Sequence, residues 1–272
     1  MAEHDDTNLS EDEQAEVAEH APTAPKVVHA AVSMHGEDEL DRPAASLLWS
    51  AIAAGIAIMT SVSVSGALHH YLPEARWRDA VVALGYPVGF LMVVLGRMQL
   101  FTEQTIVAIL PLARHTNMHN FARVARLWSL VFVGNLAGAA SIAALAVFGN
   151  VQSDEMLDGM LAVSAKLQER SATETLMQAI PAGFIMASVA WIRSAENRAG
   201  FSIVLVLTLA ISLCGFAHVI AGAAEAFLLL WSGLAATSWV AFGFLLPALI
   251  GNVIGGTLMF AFLSHAQVRA EI

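Results

Sequence analysis

Six apolar stretches alternate with short polar segments, at about residues 44–69, 80–110, 122–148, 176–192, 200–231 and 239–264. Each approaches or exceeds the roughly 20 residues with which a helix crosses a bilayer. Pro247 inside the sixth is tolerable, because neighbouring helices can satisfy the carbonyl it frees. The second stretch is punctured by Arg97, Gln99, Thr102, Glu103 and Gln104, and the fifth by Gly215 and His218. On a lipid-facing helix each charge would cost several kcal/mol. Irregular backbone at membrane depth is tolerated only where protein or a cavity surrounds it. The pattern therefore predicts an all-α membrane protein of six transmembrane helices, with helices 2 and 5 broken. One half-helix would run to about Gly96, a loop would carry Leu100, Phe101 and Thr102, and a second half-helix would start at Glu103. There the carboxylate complements the positive end of the helix dipole. Gly215 is the permissive residue before Phe216, Ala217 and His218.

The breaks look like one device used twice. Thirty-three residues after Phe101 comes Gly134-Asn135-Leu136-Ala137-Gly138, and thirty-three after His218 comes Gly251-Asn252-Val253-Ile254-Gly255. Three spans per half is an odd number, so the second half must be inverted relative to the first. Interrupted helices paired in this way build a path across the bilayer. Taken singly, His218 could be an interhelical hydrogen-bonder, and Leu100 and Phe101 could be core packing. Beside Thr102 and a break, His218 reads as pore-facing and Leu100 and Phe101 as a constriction. Arg97 is open to two readings: a charge neutralised by Glu103 and carbonyls, or a vestibule cation. Gly134 with Gly138, Gly251 with Gly255, and Gly85 with Gly89 are small-residue seams for close helix packing. His115 and His119 have metal-ligand spacing without an evident third ligand, and no metal or cofactor is expected.

Composition sharpens the assignment. Hydrophobic residues are 57% of the 272 and charged ones 13%, where a soluble domain carries about 25% charged. The net charge of -10 says little about the membrane part, because 12 of the 23 acidic residues lie between Glu3 and Asp41. Residues 1–42 read as a mostly disordered acidic arm without the features of a secretory signal. Residues 43–266 form the membrane domain and 267–272 a short tail. Cys214 is the sole cysteine, so no intrachain disulfide is possible. With the N-terminus inside, cytoplasmic segments hold eight basic residues (Lys26, Arg42, Arg114, Arg123, Arg126, Arg193, Arg198, Arg269) and the opposite side four (Arg76, Arg78, Lys166, Arg170). That asymmetry puts both termini in the cytoplasm. The six tryptophans fall near span ends, as interfacial anchors do.

Four motifs, in order across about residues 44–266, resemble the formate/nitrite transporter family and within it the YfdC-like branch. They are Arg97 to Glu103 (the Leu-Phe-Thr loop), Val133 to Gly138, Gly215 to Ala221, and Ile250 to Gly256. The resemblance implies an aquaporin-like protomer in a homopentamer, one pore per subunit, carrying small monovalent anions or their conjugate acids. It would place the protein in an inner (cytoplasmic) membrane, with no nucleic-acid partner. By position, Leu100 would line the cytoplasmic slit, Tyr86 and Ile211 the opposite constriction, and Thr102 and His218 would face each other between, with Phe216 close by. The chain departs from the pattern at Ala217, where many members have Glu, near Gly222 for Asn, and at Ala187. The vestibule Lys has no clean counterpart: Ser171 falls there, with Arg170 adjacent and Lys166 further off, so Arg170 or Arg97 could substitute.

These features predict transport of a weak-acid anion, proton-linked through His218. Burial disfavours a bare anion and the imidazolium alike. An aquaporin-like channel for neutral solutes would share the broken helices but lacks paired Asn-Pro-Ala motifs here. A non-conducting membrane scaffold is the third reading. No His-Glu-x-x-His, Gly-x-Gly-Asp or Ser–His pairing suggests an enzyme.

Overall fold

The computed structural model describes Ser10, residues 23–196 and residues 198–271, and every regular element among them is helical. The first half contains α1 (Pro25–Asp41), α2 (Ala44–Tyr71), α3 (Arg78–Leu95), α4 (Phe101–Val107), α5 (Ile109–Arg114) and α6 (Met118–Phe148). The second contains α7 (Asp154–Ala165), which runs into a 3-10 turn at Lys166–Glu169, then α8 (Ala172–Ala195), α9 (Gly200–Leu213), α10 (Val219–Trp231) and α11 (Trp239–Val268). Five of these, α2, α3, α6, α8 and α11, are long and apolar enough to cross a membrane, and α9 and α10 are shorter apolar helices. At 1.5 Å per residue the 28 residues of α2 reach about 42 Å, more than the ~30 Å hydrocarbon layer. The protein is a multi-pass membrane protein. α11 winds as a π-helix on both sides of its Leu246–Val253 segment, which Pro247 opens by removing a backbone donor.

Residues 25–41 were expected inside an unstructured acidic arm and instead form α1. The reason is an apolar stripe hidden among the charges: Val28, Val32 and Leu40 are each at most 2% exposed. Val28 and Val32 pack on Ile106, Val107 and Leu110. The nearby acids are also matched, since Arg123 reaches Glu37 (3.0 Å) and Asp41 (2.6 Å), and Arg42 reaches Glu39 (3.0 Å). Residues 1–9 and 11–22, the rest of that arm, lie outside the described residues. α7 was likewise unforeseen, and it buries Met160 against Gly66 of α2.

The two additions complete a pattern. In each half a short helix, with its 3-10 turn in the second, stops just before an arginine, Arg42 or Arg170, and a long helix begins two residues after that arginine, at Ala44 or Ala172. A helix, a break, a second helix and a final long helix follow. The seam between the long helices is built the same way twice. A Cβ on Gly138 would overlap the Ile52 carbonyl, and one on Gly255 the Ile180 carbonyl. Gly55 and Gly183 similarly admit the carbonyls of Asn135 and Asn252. Such contacts bring backbones together where a side chain would hold them apart. Trp128, expected at an interface, instead donates its Nε1–H to the Gln104 carbonyl at 3.1 Å and packs edge-on against Phe101.

Candidate permeation site

Both interruptions are built from the same hydrogen bonds. After α3, Gly96 N–H bonds to the Met92 carbonyl, Arg97 N–H to Val94, and Met98 N–H to Val93; after α9, Cys214, Gly215 and Phe216 bond to Ala210, Ser212 and Ile211. The turning residue is left-handed in each, Arg97 at φ 53° and Gly215 at φ 66°. Glycine adopts this readily, whereas a side chain at such a φ is uncommon. Three residues on, Leu100 (φ -110°, ψ 125°) and His218 (φ -104°, ψ 124°) precede α4 and α10. Leu100 and His218 are thus equivalent. The sequence spacing had aligned Phe101 with His218, one residue out of register.

A buried asparagine clamps each break. Asn135 donates to the Ala51 and Gln99 carbonyls (both 2.8 Å) and accepts the Phe101 N–H at 3.0 Å. Asn252 donates to the Ala179 and Ala217 carbonyls (2.8 and 2.9 Å) and accepts the Val219 N–H at 2.8 Å. Each therefore satisfies one carbonyl and one N–H that the interruption leaves without helical partners (Gln99 and Phe101, Ala217 and Val219), and ties them to α2 or α8 through its other bond. The motif that supplies the packing glycines Gly134, Gly138, Gly251 and Gly255 thus also supplies the asparagines Asn135 and Asn252 that hold the loops.

The breaks bring Thr102 and His218 together, Oγ1 to Nε2 at 2.7 Å, with both residues buried. His218 Nδ1 accepts the Ala221 N–H at 3.1 Å. A backbone N–H can only donate, so Nδ1 carries no hydrogen and the neutral ring holds its proton on Nε2. Nε2–H then donates to Thr102 Oγ1. The tautomer is set by the first turn of α10, and the threonine hydroxyl hydrogen stays free to donate elsewhere. Phe90 meets the imidazole edge-on at 5.0 Å, and Tyr86 lies tilted against Phe90, also at 5.0 Å.

A cavity lies on each side. The first, about 550 Å³, is bounded by Glu39, Arg42, Arg97, Gln99, Glu103 and Arg193, at the Ala44 end of α2 and the Leu95 end of α3. The second, about 370 Å³, is bounded by Asp79, Tyr86, Lys166, Arg170, Phe216 and Glu225, towards the opposite ends of those helices. The two share no lining residue, and neither wall includes Thr102, His218, Leu100 or Phe101.

The singled-out residues thus fall in distinct places. Arg97 lines the first cavity; Arg170, Lys166, Tyr86 and Phe216 line the second. Glu103 lies 3.9 Å from Arg193 and shares its cavity with Arg97. Lys166 is held by Asp79 at 2.7 Å. Phe101 packs on Trp128 and Phe132 of α6, and Leu100 and Ile211 are fully buried. Phe90 and Glu225 were missed: Phe90 is one apolar residue in an apolar run, and Glu225 is a lone acid four residues beyond the end of the Gly215 to Ala221 motif.

The comparisons with known proteins agree with this architecture. The formate/nitrite transporter family model matches residues 26–266. The inner membrane protein YfdC of Escherichia coli is 32% identical over 251 residues, 92% of this chain and 81% of that one. The formate-nitrite transporter of Plasmodium knowlesi is 27% identical, over 84% and 78%. Among solved structures, an FNT family ion channel superposes with a TM-score of 0.74 at 18% identity, covering 89% of this chain and 98% of that one. A pentameric formate channel with formate bound gives 0.70 at 16% identity, over 84% and 98%. The chain belongs to the formate/nitrite transporter family.

Proposed function

We propose that the protein carries a small monovalent anion of a weak acid, of the formate or nitrite kind, as an anion with a proton or as the neutral acid. The observation that carries this reading is the buried Thr102–His218 bond lying between two separate polar cavities. In this reading α2, α3–α4 and α6 form one set of crossings, and α8, α9–α10 and α11 an inverted second set. The two breaks then meet near mid-bilayer, both termini are cytoplasmic, and the first cavity is the cytoplasmic vestibule. The equal hydrogen bonding of the two breaks supports that arrangement, and the excess of arginine at one end supports the orientation. The pentameric assembly of the formate channel suggests five subunits with a pore in each.

The chemistry follows from desolvation. A bare anion in a dry constriction has lost its hydration and is strongly disfavoured, whereas a neutral acid or an anion meeting fixed donors is not. The Thr102 hydroxyl hydrogen, left free because Nε2–H occupies its oxygen, is such a donor. Phe90, Leu100 and Ile211 exclude water around it, so leakage of hydrated ions is suppressed. Arg97 and Arg170, one in each cavity, concentrate anions at the two mouths.

Stopped-flow light scattering of proteoliposomes in formate, nitrite, urea and glycerol tests this. Fast swelling in formate and nitrite but not in urea or glycerol is expected. Swelling in urea or glycerol alone would make the protein a neutral-solute channel, and no swelling in any of them a non-conducting scaffold.

A further inference from the structure

His218 is ill-placed to supply the proton that accompanies the anion. Its Nδ1 is already occupied by the Ala221 N–H, and adding a proton there would set two hydrogens against each other and undo the first turn of α10. Its Nε2–H is committed to Thr102. Releasing that proton would leave an imidazolate, a strongly disfavoured species in a buried site. The ring can orient a hydrogen bond without exchanging its proton.

Each cavity holds a carboxyl group on the helix that leaves the Thr102–His218 pair. Glu103 follows Thr102 directly and lines the first cavity; its neighbours there are Arg193 of α8, Arg97 of the break, Arg42, and His35 and Glu39 of α1. Glu225 lies seven residues after His218, two turns along α10, and lines the second cavity with Arg170, Tyr86, and the paired Lys166 and Asp79. Arg42 and Glu39 are engaged with each other, as are Lys166 and Asp79. Arg193, 3.9 Å from Glu103, and Arg97 remain to face the first carboxyl group, and Arg170 the second. Arg170 is also brought close to the break, because Gly215 has no side chain: a Cβ there would lie 3.1 Å from its Nη2.

We infer that Glu103 and Glu225 are the proton stations of the pore, one at each mouth, and that His218 is a positioning residue. This rests on the weak-acid transport reading above. On entry a protonated glutamic acid gives its O–H hydrogen to the incoming anion, leaving a carboxylate beside an arginine and a neutral acid that crosses the constriction. At the far mouth the acid returns the hydrogen to the other carboxylate and leaves as an anion. Each glutamate is reset by exchange with water in its own cavity, so one proton travels with each anion. A carboxyl group is a matched partner for a small carboxylic acid, since proton transfer between similar groups is close to balanced in both directions. The adjacent guanidinium stabilises the carboxylate and holds the anion by charge-assisted hydrogen bonds.

The test is uptake of labelled formate into proteoliposomes between pH 5.5 and 8 for wild type, Glu103→Gln, Glu225→Gln and Glu225→Asp. In the Gln variants the proton must come from solution. Uptake should fall by about a hundredfold at pH 7.5 and become first order in hydronium, so that log rate against pH steepens to a slope near -1. Glu225→Asp should restore the shallower wild-type profile. Gln variants whose pH profile parallels wild type, whatever their absolute rate, would overturn the inference while leaving formate transport intact. Absence of wild-type uptake would instead refute the transport reading, and the proton stations with it.

Discussion

Replacing Asn252 by Ala probes how the second break is held. The Asn252 side chain is fully buried and makes three hydrogen bonds to backbone, to Ala179, Ala217 and Val219. Alanine leaves the Ala217 carbonyl and the Val219 N–H without partners, whereas the Ala179 carbonyl keeps its place in the α8 ladder. Each orphaned buried group costs about 1–3 kcal/mol, so the low end for two groups is roughly 2 kcal/mol. For a chain of this size that corresponds to a fall in Tm of roughly 4–8 °C. The Val219 N–H begins the turn whose next bond fixes His218 Nδ1, so the Thr102–His218 contact should loosen as well, and formate flux should fall more than the folded fraction does. Tryptophan fluorescence melting of the detergent-solubilised protein gives the first quantity, and proteoliposome uptake at 20 °C the second. A Tm within about 2 °C of wild type together with unchanged flux would refute the reasoning that Asn252 holds the break.

Other expectations follow from single contacts. Gly255→Ala places a methyl group against the Ile180 carbonyl and should destabilise by about 1–3 kcal/mol through forced separation of α8 and α11; a melting temperature equal to wild type would count against the seam. Thr102→Val removes both the acceptor for His218 Nε2–H and the free hydroxyl hydrogen, and should lower formate flux by about tenfold or more, while Thr102→Ser should restore it. Equal flux in the Val and Ser variants would exclude a hydroxyl role. His29 of α1 shares a 3.1 Å contact with His265, and burial first, then His265 and Arg114, hold its pKa below the ordinary 6.5. Docking of α1 at this contact is therefore fully present above about pH 6.5 and is lost as pH falls through the lowered value. Hydrogen-exchange protection of residues 25–33, taken relative to the intrinsic rate at each pH, should fall between pH 7.5 and 5, and less so in His265→Gln; an equal fall in both would remove this pair as the cause.

Much of the site was readable because polar residues inside an apolar run are expensive. Arg97, Gln99, Thr102, Glu103 and His218 announced themselves for that reason, and Asn135 and Asn252 stood at fixed distances after them. Spacing could not give the register: the Asn135 and Asn252 clamps differ by one residue in their distance to the helix start, which shifted the alignment from Leu100 to Phe101. α1 was hidden because its apolar stripe is narrow and its acids dominate composition, whereas Arg123, which neutralises Glu37 and Asp41, is remote in sequence. Phe90 carries no signal within an apolar run; only the fold sets it against the imidazole. Glu225 was visible as an acid in a hydrophobic helix but had no motif to attach it to, and its partner Arg170 lies on a different element.

The central claim is that the Thr102–His218 constriction passes one weak-acid anion with one proton. Simultaneous recording of labelled formate uptake and pyranine fluorescence inside proteoliposomes measures that ratio directly. One proton entering with each formate, faster as external pH falls and slowed about tenfold or more by Thr102→Val, is the expected result. Formate entering without lumenal acidification, and with charge movement in its place, would contradict the claim.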